Sequence, residues 1–366
     1  MKIDKGEISG TQFMLSISCF IQSSAMLTSF IAAIAKQDAW ISVLFGIVCC
    51  LPLIWVYRSI MIEFPGQNLL EILEVVFGRV IGKILGAAYI CFFITLASIN
   101  LMDLGDFTRL TIMEETPNIV LVVMCIIVSS IAVRSGIKLV TKYSALFTVI
   151  SFFILFISVL LVANLIKPDN LLPIFDQPPM KYIQSTHIIA TIPFGEVVAF
   201  LMITPNIKLS KKQLTSRLFW GFGMGAFMIL VVMLRDITVL GNTLNLFTLP
   251  SLVTLRLVNF GASLSRVEVL FVVVLILLLF FKITFLYYIS VISIAHFFKI
   301  KAYKYLTLSV GAFMIAYGLT LYPSAAEHAA SAHHIVPILW TPFEIIIPLL
   351  ILITAKVRKL PKAQRV

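Results

Sequence analysis

Ile192-Pro193-Phe194-Gly195-Glu196 decides the fold of this chain. The five residues interrupt an otherwise apolar stretch from His187 to Ile203, long enough with its flanks to cross a bilayer. Pro193 removes a backbone donor and clashes with the preceding turn. Gly195 loosens the backbone further. In lipid, irregular backbone survives only where protein or a water-filled cavity satisfies it. A carboxylate at that depth is costly and marks a candidate functional site. The sequence thus predicts a membrane helix broken near the midplane, with an acid at the break. Membrane carriers build small-molecule sites in this way.

The rest of the chain is a setting for such a helix. It has 366 residues, 60% hydrophobic and 12% charged, and no long polar segment. Its mean hydropathy is +1.05. These values exclude a soluble enzyme or binding domain and imply a single polytopic membrane domain over residues 1–366. Ten spans are expected near 11–35, 40–61, 81–107, 118–133, 143–166, 186–205, 214–240, 266–297, 304–322 and 335–356. Residues Met1 to Gly10 lack the pattern of a cleaved signal, so the first span is expected to stay in the mature protein.

The net charge of +11 sits in short loops, where it signals topology rather than nucleic-acid binding. One set of segments holds Lys2 and Lys5; Arg58, Arg79 and Lys83; Arg134, Lys138 and Lys142; Lys208, Lys211, Lys212 and Arg217; Lys299, Lys301 and Lys304; and Lys356 to Arg365. The alternate segments are sparser, with Lys36, Arg109, Lys167, Lys181, Arg235, Arg256 and Arg266. Both termini are therefore expected in the cytoplasm, with an even number of spans. Ten spans divide into an inverted five-plus-five repeat, about 11–166 and 186–356. The sixth span then corresponds to the first, which carries its own weak point at Gln22-Ser23-Ser24-Ala25. Residues 68–78 place Leu69, Leu70, Leu73, Val76 and Phe77 on one face and Glu71 and Glu74 on the other. That is a short amphipathic helix stopped at Gly78, expected at the inner membrane surface. The apolar loop 241–265 is either an interfacial loop or a lid over the outer mouth.

Several features resemble the spore germination permease family when taken in order: Gln12, Lys36-Gln37-Asp38-Ala39-Trp40-Ile41, Asn68 to Lys83, Pro193-Phe194-Gly195-Glu196, Leu249-Pro250 through Arg256 to Arg266, and Phe281-Lys282. The resemblance runs the whole chain. It implies the B subunit of a nutrient germinant receptor, within the amino acid–polyamine–organocation superfamily. From it follow an all-α fold with broken helices 1 and 6 shared with sodium-coupled amino acid symporters, and the inner membrane of a bacterial spore. It also implies a lipoprotein C subunit and an A subunit as partners, and an amino acid or similar small nutrient as ligand. The superfamily commonly has a Gly-rich turn in the first span, where this chain has Gln22-Ser23-Ser24.

Candidate substrate-binding residues follow. Glu196, at the start of the second half-helix, is suited to accept a ligand ammonium or to carry a proton; a structural acid capped by backbone donors is the other reading. Thr191 and Phe194 are expected beside it, as a hydroxyl and an apolar wall, with Gly195 at the break. Gln22, Ser23 and Ser24 would supply the other half, or bond back to their own helix. Lys282 lies too far from either end of the eighth span to snorkel. Its ammonium is suited to replace a coupling sodium, or to pair with a distant acid. Asn100, Asp103 and Asp106, three apart along the third span, form either an outer vestibule or an interfacial stripe, and Asp106 can reach Arg109. His328, His333 and His334 are expected in a solvated loop. Cys19, Cys49, Cys50, Cys91 and Cys125 are odd in number, lie within apolar spans and read as core residues. No metal site, cofactor, phosphate loop, nucleophile elbow or triad is present in the pattern. The two leading readings are a receptor subunit and an amino acid or amine permease working by alternating access, with a passive water or ion path as a third.

Overall fold

The computed structural model describes residues 4, 6–25, 28–258, 268–322 and 325–360. The first span is in two pieces, α1 (Gly10–Gln22) and α2 (Thr28–Ala35), separated at Ser23-Ser24. Helix α1 starts at a capping box: Ser9 Oγ accepts from Gln12 N, and Gln12 Oε1 from Ser9 N. Helix α3 (Ala39–Glu63) follows, then α4 (Leu69–Phe77), capped reciprocally by Asn68 and Glu71 and stopped at Gly78, whose φ of +84° favours glycine. Helix α4 is the expected amphipathic helix, but Ile72 is buried along with Leu69, Leu70, Leu73 and Val76, because α4 packs against the long α5 (Arg79–Thr111).

Helices α6 (Asn118–Ser135) and α7 (Ile137–Leu161) are joined by Gly136 alone. The fifth span thus begins before the expected 143, and Lys138 and Lys142 lie in its first turns. The cap comes from far away in sequence: Asp4 Oδ2 accepts from Ile137 N at 2.9 Å. Tyr288 donates to the same oxygen, and Asn206 donates to the Gly6 carbonyl at 2.7 Å. The N-terminal segment thereby ties together one end of the bundle.

The sixth span runs from α8 (Pro179–Ile189) through a π turn (Ala190–Phe194) into a 3-10 stretch (Gly195–Asn206). Of its most apolar stretch 94% is buried, against 28–61% in the other candidate spans. It is therefore the axis of the bundle. Helix α9 (Lys211–Leu240) leads to a 3-10 turn (Gly241–Leu246) and α10 (Pro250–Arg256); the remainder of loop 241–265 is only described to residue 258. Helices α11 (Glu268–Phe297), α12 (Leu306–Leu321) and α13 (Ala325–His334) follow. The last span is α14 (Val336–Thr341), a second π turn (Pro342–Ile346) and α15 (Ile347–Val357).

Among the described residues there is no strand beyond an isolated bridge, Ile8 to Ile207. Nine segments among the described residues are long and apolar enough to cross a membrane. The first expected span is not one of these nine by itself, because its break leaves neither α1 nor α2 long enough. Of the basic residues used for orientation, Lys2, Lys5, Arg266, Lys362 and Arg365 lie outside the described residues.

Two sequence expectations are corrected. Cys49 and Cys91 are exposed on the bundle surface, whereas Cys19, Cys50 and Cys125 are buried. Arg235, read as a basic residue of an outer segment, is buried and pairs with Asp236 at 2.8 Å. Arg235 also donates to Ser158 Oγ, and Ser251 of α10 donates to Asp236, so the pair pins α10 to α9 and α7.

Candidate ligand site

The break in the sixth span is built as its sequence dictates. Ile192 leaves helical geometry altogether, at φ −113° and ψ 109°, just before Pro193. Tyr57 of α3 places its hydroxyl 2.9 Å from the Gly195 carbonyl and 2.6 Å from the Glu344 carbonyl. Its single proton serves one of them at a time. The Cys50 thiol lies 3.5 Å from the Ala190 carbonyl. Protein groups thus occupy the gap that the missing helical bonds leave.

Gly195 is required by what faces it. A Cβ there would collide with Glu344 Oε2, and would lie 2.9 Å from Glu344 Cδ and 3.0 Å from the Ala190 carbonyl. Gly195→Ala is therefore expected to destabilise the fold by about 1–3 kcal/mol, as overpacking does. The measurement is the thermal midpoint of the purified protein, and an unchanged midpoint would mean that Glu344 moves aside freely.

Glu196 begins the 3-10 half and is fully buried. Lys282 of α11, also buried, places Nζ 2.5 Å from Glu196 Oε2 and donates to Ser24 Oγ at 2.6 Å. The ammonium also lies 4.9 Å from the centre of the Phe20 ring. One cation therefore joins the first-span break to the sixth-span break. Phe20, Phe200 and Phe285 pack together behind it, with the Phe200 and Phe285 rings stacked at 4.4 Å.

A cavity of about 130 Å³ lies at the end of the bundle away from Asp4. Its wall includes Ser23, Ser24, Ser29 and Phe30 of the first span, Asn100, Asp103, Asp106 and Phe107 of α5, Leu279 of α11, and His328. Thr248 and Leu249, from the loop read as a possible lid, border it as well. The volume is small beside the ~300–1,000 Å³ of drug-sized sites. It suits a ligand of a few heavy atoms.

Within the cavity, Asp103 keeps 23% of its side chain exposed, and His328 Nδ1 approaches it at 3.6 Å. Asp106 accepts from Asn118 at 2.7 Å in place of the expected pairing with Arg109. Asn100 spends its amide on the Leu96 carbonyl at 2.8 Å. Its carbonyl oxygen remains available as an acceptor.

Four expected site residues, Ser23, Ser24, Asn100 and Asp103, thus share one cavity. The others lie elsewhere. Gln22 turns toward α7, accepting from Ser151 at 2.5 Å and donating to Ser18 at 2.8 Å. Thr191 donates back to the His187 carbonyl at 2.9 Å. Phe194 packs edge-on against Phe222. Glu196, Gly195 and Pro193 do not line this cavity, and Glu196 is paired with Lys282.

One residue was not singled out from the sequence, and another was placed wrongly. Glu344 is buried in the tenth span, and Pro342-Phe343-Glu344 repeats the Pro-Phe-Gly-Glu pattern with one residue fewer. His328 was expected in a solvated loop, but it stacks on Tyr322 at 4.7 Å and closes over Asp103. Its α13 helix folds back onto the bundle. No group of three or more His, Cys, Asp or Glu able to hold a metal occurs among the described residues.

The chain is similar over nearly its whole length to proteins of spore germination. The family described as spore germination protein matches residues 7–326. Spore germination protein KB of Bacillus subtilis (strain 168) is 27% identical over 362 residues, spanning 98% of this chain and 96% of its own. YfkT of the same strain is 23% identical over 328 residues, spanning 89% of each. Among solved structures, MhsT in complex with L-phenylalanine superposes with a TM-score of 0.69 at 12% identity, covering 96% of this chain and 99% of MhsT. A sodium-coupled sialic acid symporter gives 0.66 at 12%, covering 94% and 79%. Mhp1 with bromovinylhydantoin bound gives 0.64 at 13%, covering 92% and 79%. At these identities the likeness shows the fold alone, one shared with membrane transporters. The family match carries the identification, and this chain belongs to the spore germination protein family.

Proposed function

We propose that the chain is the integral membrane subunit of a nutrient germinant receptor. It binds an amino acid or similar small nutrient between the first, third, sixth and eighth helices and signals to partner subunits. One observation carries the reading: a carboxylate (Asp103) and the Ser24 hydroxyl held by Lys282 open on the same small cavity. A zwitterion fits that pair. Its ammonium takes Asp103 from His328, and its carboxylate meets the Ser24 hydroxyl at the first-span break.

The route of the signal follows from Lys282. A ligand carboxylate at Ser24 stands one hydroxyl away from the ammonium and competes with Glu196 for it. Weakening the Lys282–Glu196 pair favours a different arrangement of the sixth-span break. In this scheme Lys282 is a resident cation in the place where related folds hold sodium. The two repeats, about 11–166 and 186–356, move relative to each other around the breaks. The A subunit and the lipoprotein C subunit receive the change in the inner membrane of the spore, with both termini of this chain cytoplasmic. A second reading, an amino acid or amine permease, is favoured by the transporter fold itself.

Deleting the gene in its host separates the two. Dipicolinic acid release from purified spores is measured one nutrient at a time. Loss of response to particular nutrients, with others intact, supports the receptor and names its ligand class. Unchanged release together with lost nutrient uptake supports the permease.

A further inference from the structure

The centre of the bundle holds more carboxylate than it can neutralise. Glu344 lies in the π turn of the tenth span and is fully buried. Neither of its carboxylate oxygens has a hydrogen-bond donor among the described residues. The nearby phenols are turned to other work: Tyr57 faces the Gly195 and Glu344 carbonyls, and Tyr89 donates to the Phe343 carbonyl at 2.6 Å.

The titratable groups facing Glu344 come from four elements. They are Glu196 of the sixth span, Lys282 of α11, Tyr57 and Cys50 of α3, and Tyr89 of α5. Lys282 is the cation among them, and its Nζ is 2.5 Å from Glu196. Two carboxylates therefore share one ammonium. Ionising both would leave a net negative charge inside the helix bundle, with no donor for the second acid. Burying an unpaired carboxylate costs several kcal/mol, and such a group neutralises instead. The acid in contact with the ammonium stays ionised, so the other one takes the proton.

We infer that Glu344 is a proton-binding site, holding one proton as a neutral carboxylic acid while Lys282 is paired with Glu196. The site is mechanically placed as well as chemically. The Glu344 carboxyl rests against Gly195, where the sixth-span break sits. A neutral acid can donate to a carbonyl freed by the break, whereas a carboxylate would repel it. Proton occupancy at Glu344 is thereby linked to the shape of the break. This does not depend on the ligand proposed above, and it holds equally for a receptor or a permease.

The test is infrared spectroscopy of the full-length protein in lipid nanodiscs at neutral pH. The wild-type spectrum minus that of Glu344→Gln should contain the carbonyl stretch of a protonated carboxylic acid, shifted in heavy water. Ionised carboxylate bands in that difference would overturn the proposal. A second measurement needs no variant: with glutamate carboxyls isotopically labelled, the native protein should show a protonated glutamate at neutral pH. Fully ionised glutamates would overturn it. A thermal midpoint that rises when sodium replaces choline in the native protein, and no longer does so in Glu344→Gln, would also overturn it, assigning the site to a metal cation.

Discussion

Lys282→Met is expected to destabilise the folded chain by about 3–5 kcal/mol, because it strands a buried carboxylate. The ammonium makes the only ion pair to Glu196 among the described residues, and it also bonds Ser24 across the two broken helices. Methionine fills a similar volume, so the loss is electrostatic rather than a cavity. The prediction is read as a fall in the thermal midpoint of the purified protein, with loss of nutrient-triggered dipicolinic acid release. The double variant Lys282→Met/Glu196→Gln removes both charges and should recover most of the stability. A double variant as unstable as the single would show that Lys282 acts through something other than Glu196. A normal nutrient response in Lys282→Met would remove its role as a resident cation.

How much of this was legible in the sequence depends on how far each signal reaches. The sixth-span break was legible because Pro193 and Gly195 act on their own turn. So were the helix starts at Ser9 and Asn68, where the cap and its partner are three residues apart. The first-span break had a weaker signal, since serines satisfy themselves within a helix, as Ser23 does on the Phe20 carbonyl at 2.6 Å. What was not legible is distant pairing. Lys282 reaches Ser24 across 258 positions, and Asp4 caps α7 across 133. Glu196 read as a ligand acceptor because no sequence rule said that Lys282 would meet it. Arg235 read as a basic residue of an outer segment, because nothing local in the sequence said that it would be buried against Ser158. His328 read as a solvated loop residue, because its true place depends on how α13 folds back. Glu344 did give one, in the repeated Pro-Phe-Glu of the tenth span.

These distances also move the proposed ligand site. The acid expected to meet a ligand ammonium was Glu196; the acid that opens on a cavity is Asp103, one helix away. If the first and sixth spans are linked through Lys282, ligand recognition and helix rearrangement are carried by different carboxylates. In the proposed scheme Asp103 senses, and Glu196 responds through the lysine. The two roles are separable by mutation.

Asp103→Asn is expected to raise the nutrient concentration for half-maximal dipicolinic acid release by about 10–150-fold. A hydrogen bond to a charged group contributes about 1.5–3 kcal/mol, and each 1.4 kcal/mol is tenfold in affinity. Stability should change little. Asp103 is partly exposed and its contact with His328 is loose, at 3.6 Å, whereas asparagine keeps the shape. Asp106→Asn is the control three residues along the same face. Its carboxylate already accepts from Asn118, so it should alter helix packing more than nutrient sensitivity. Equal shifts in both variants would mean that the negative potential of the vestibule matters rather than a contact at Asp103. An unchanged response in Asp103→Asn, with sensitivity lost in Glu196→Gln, would return the ammonium to the sixth-span break and require Lys282 to leave Glu196 before any ligand can bind.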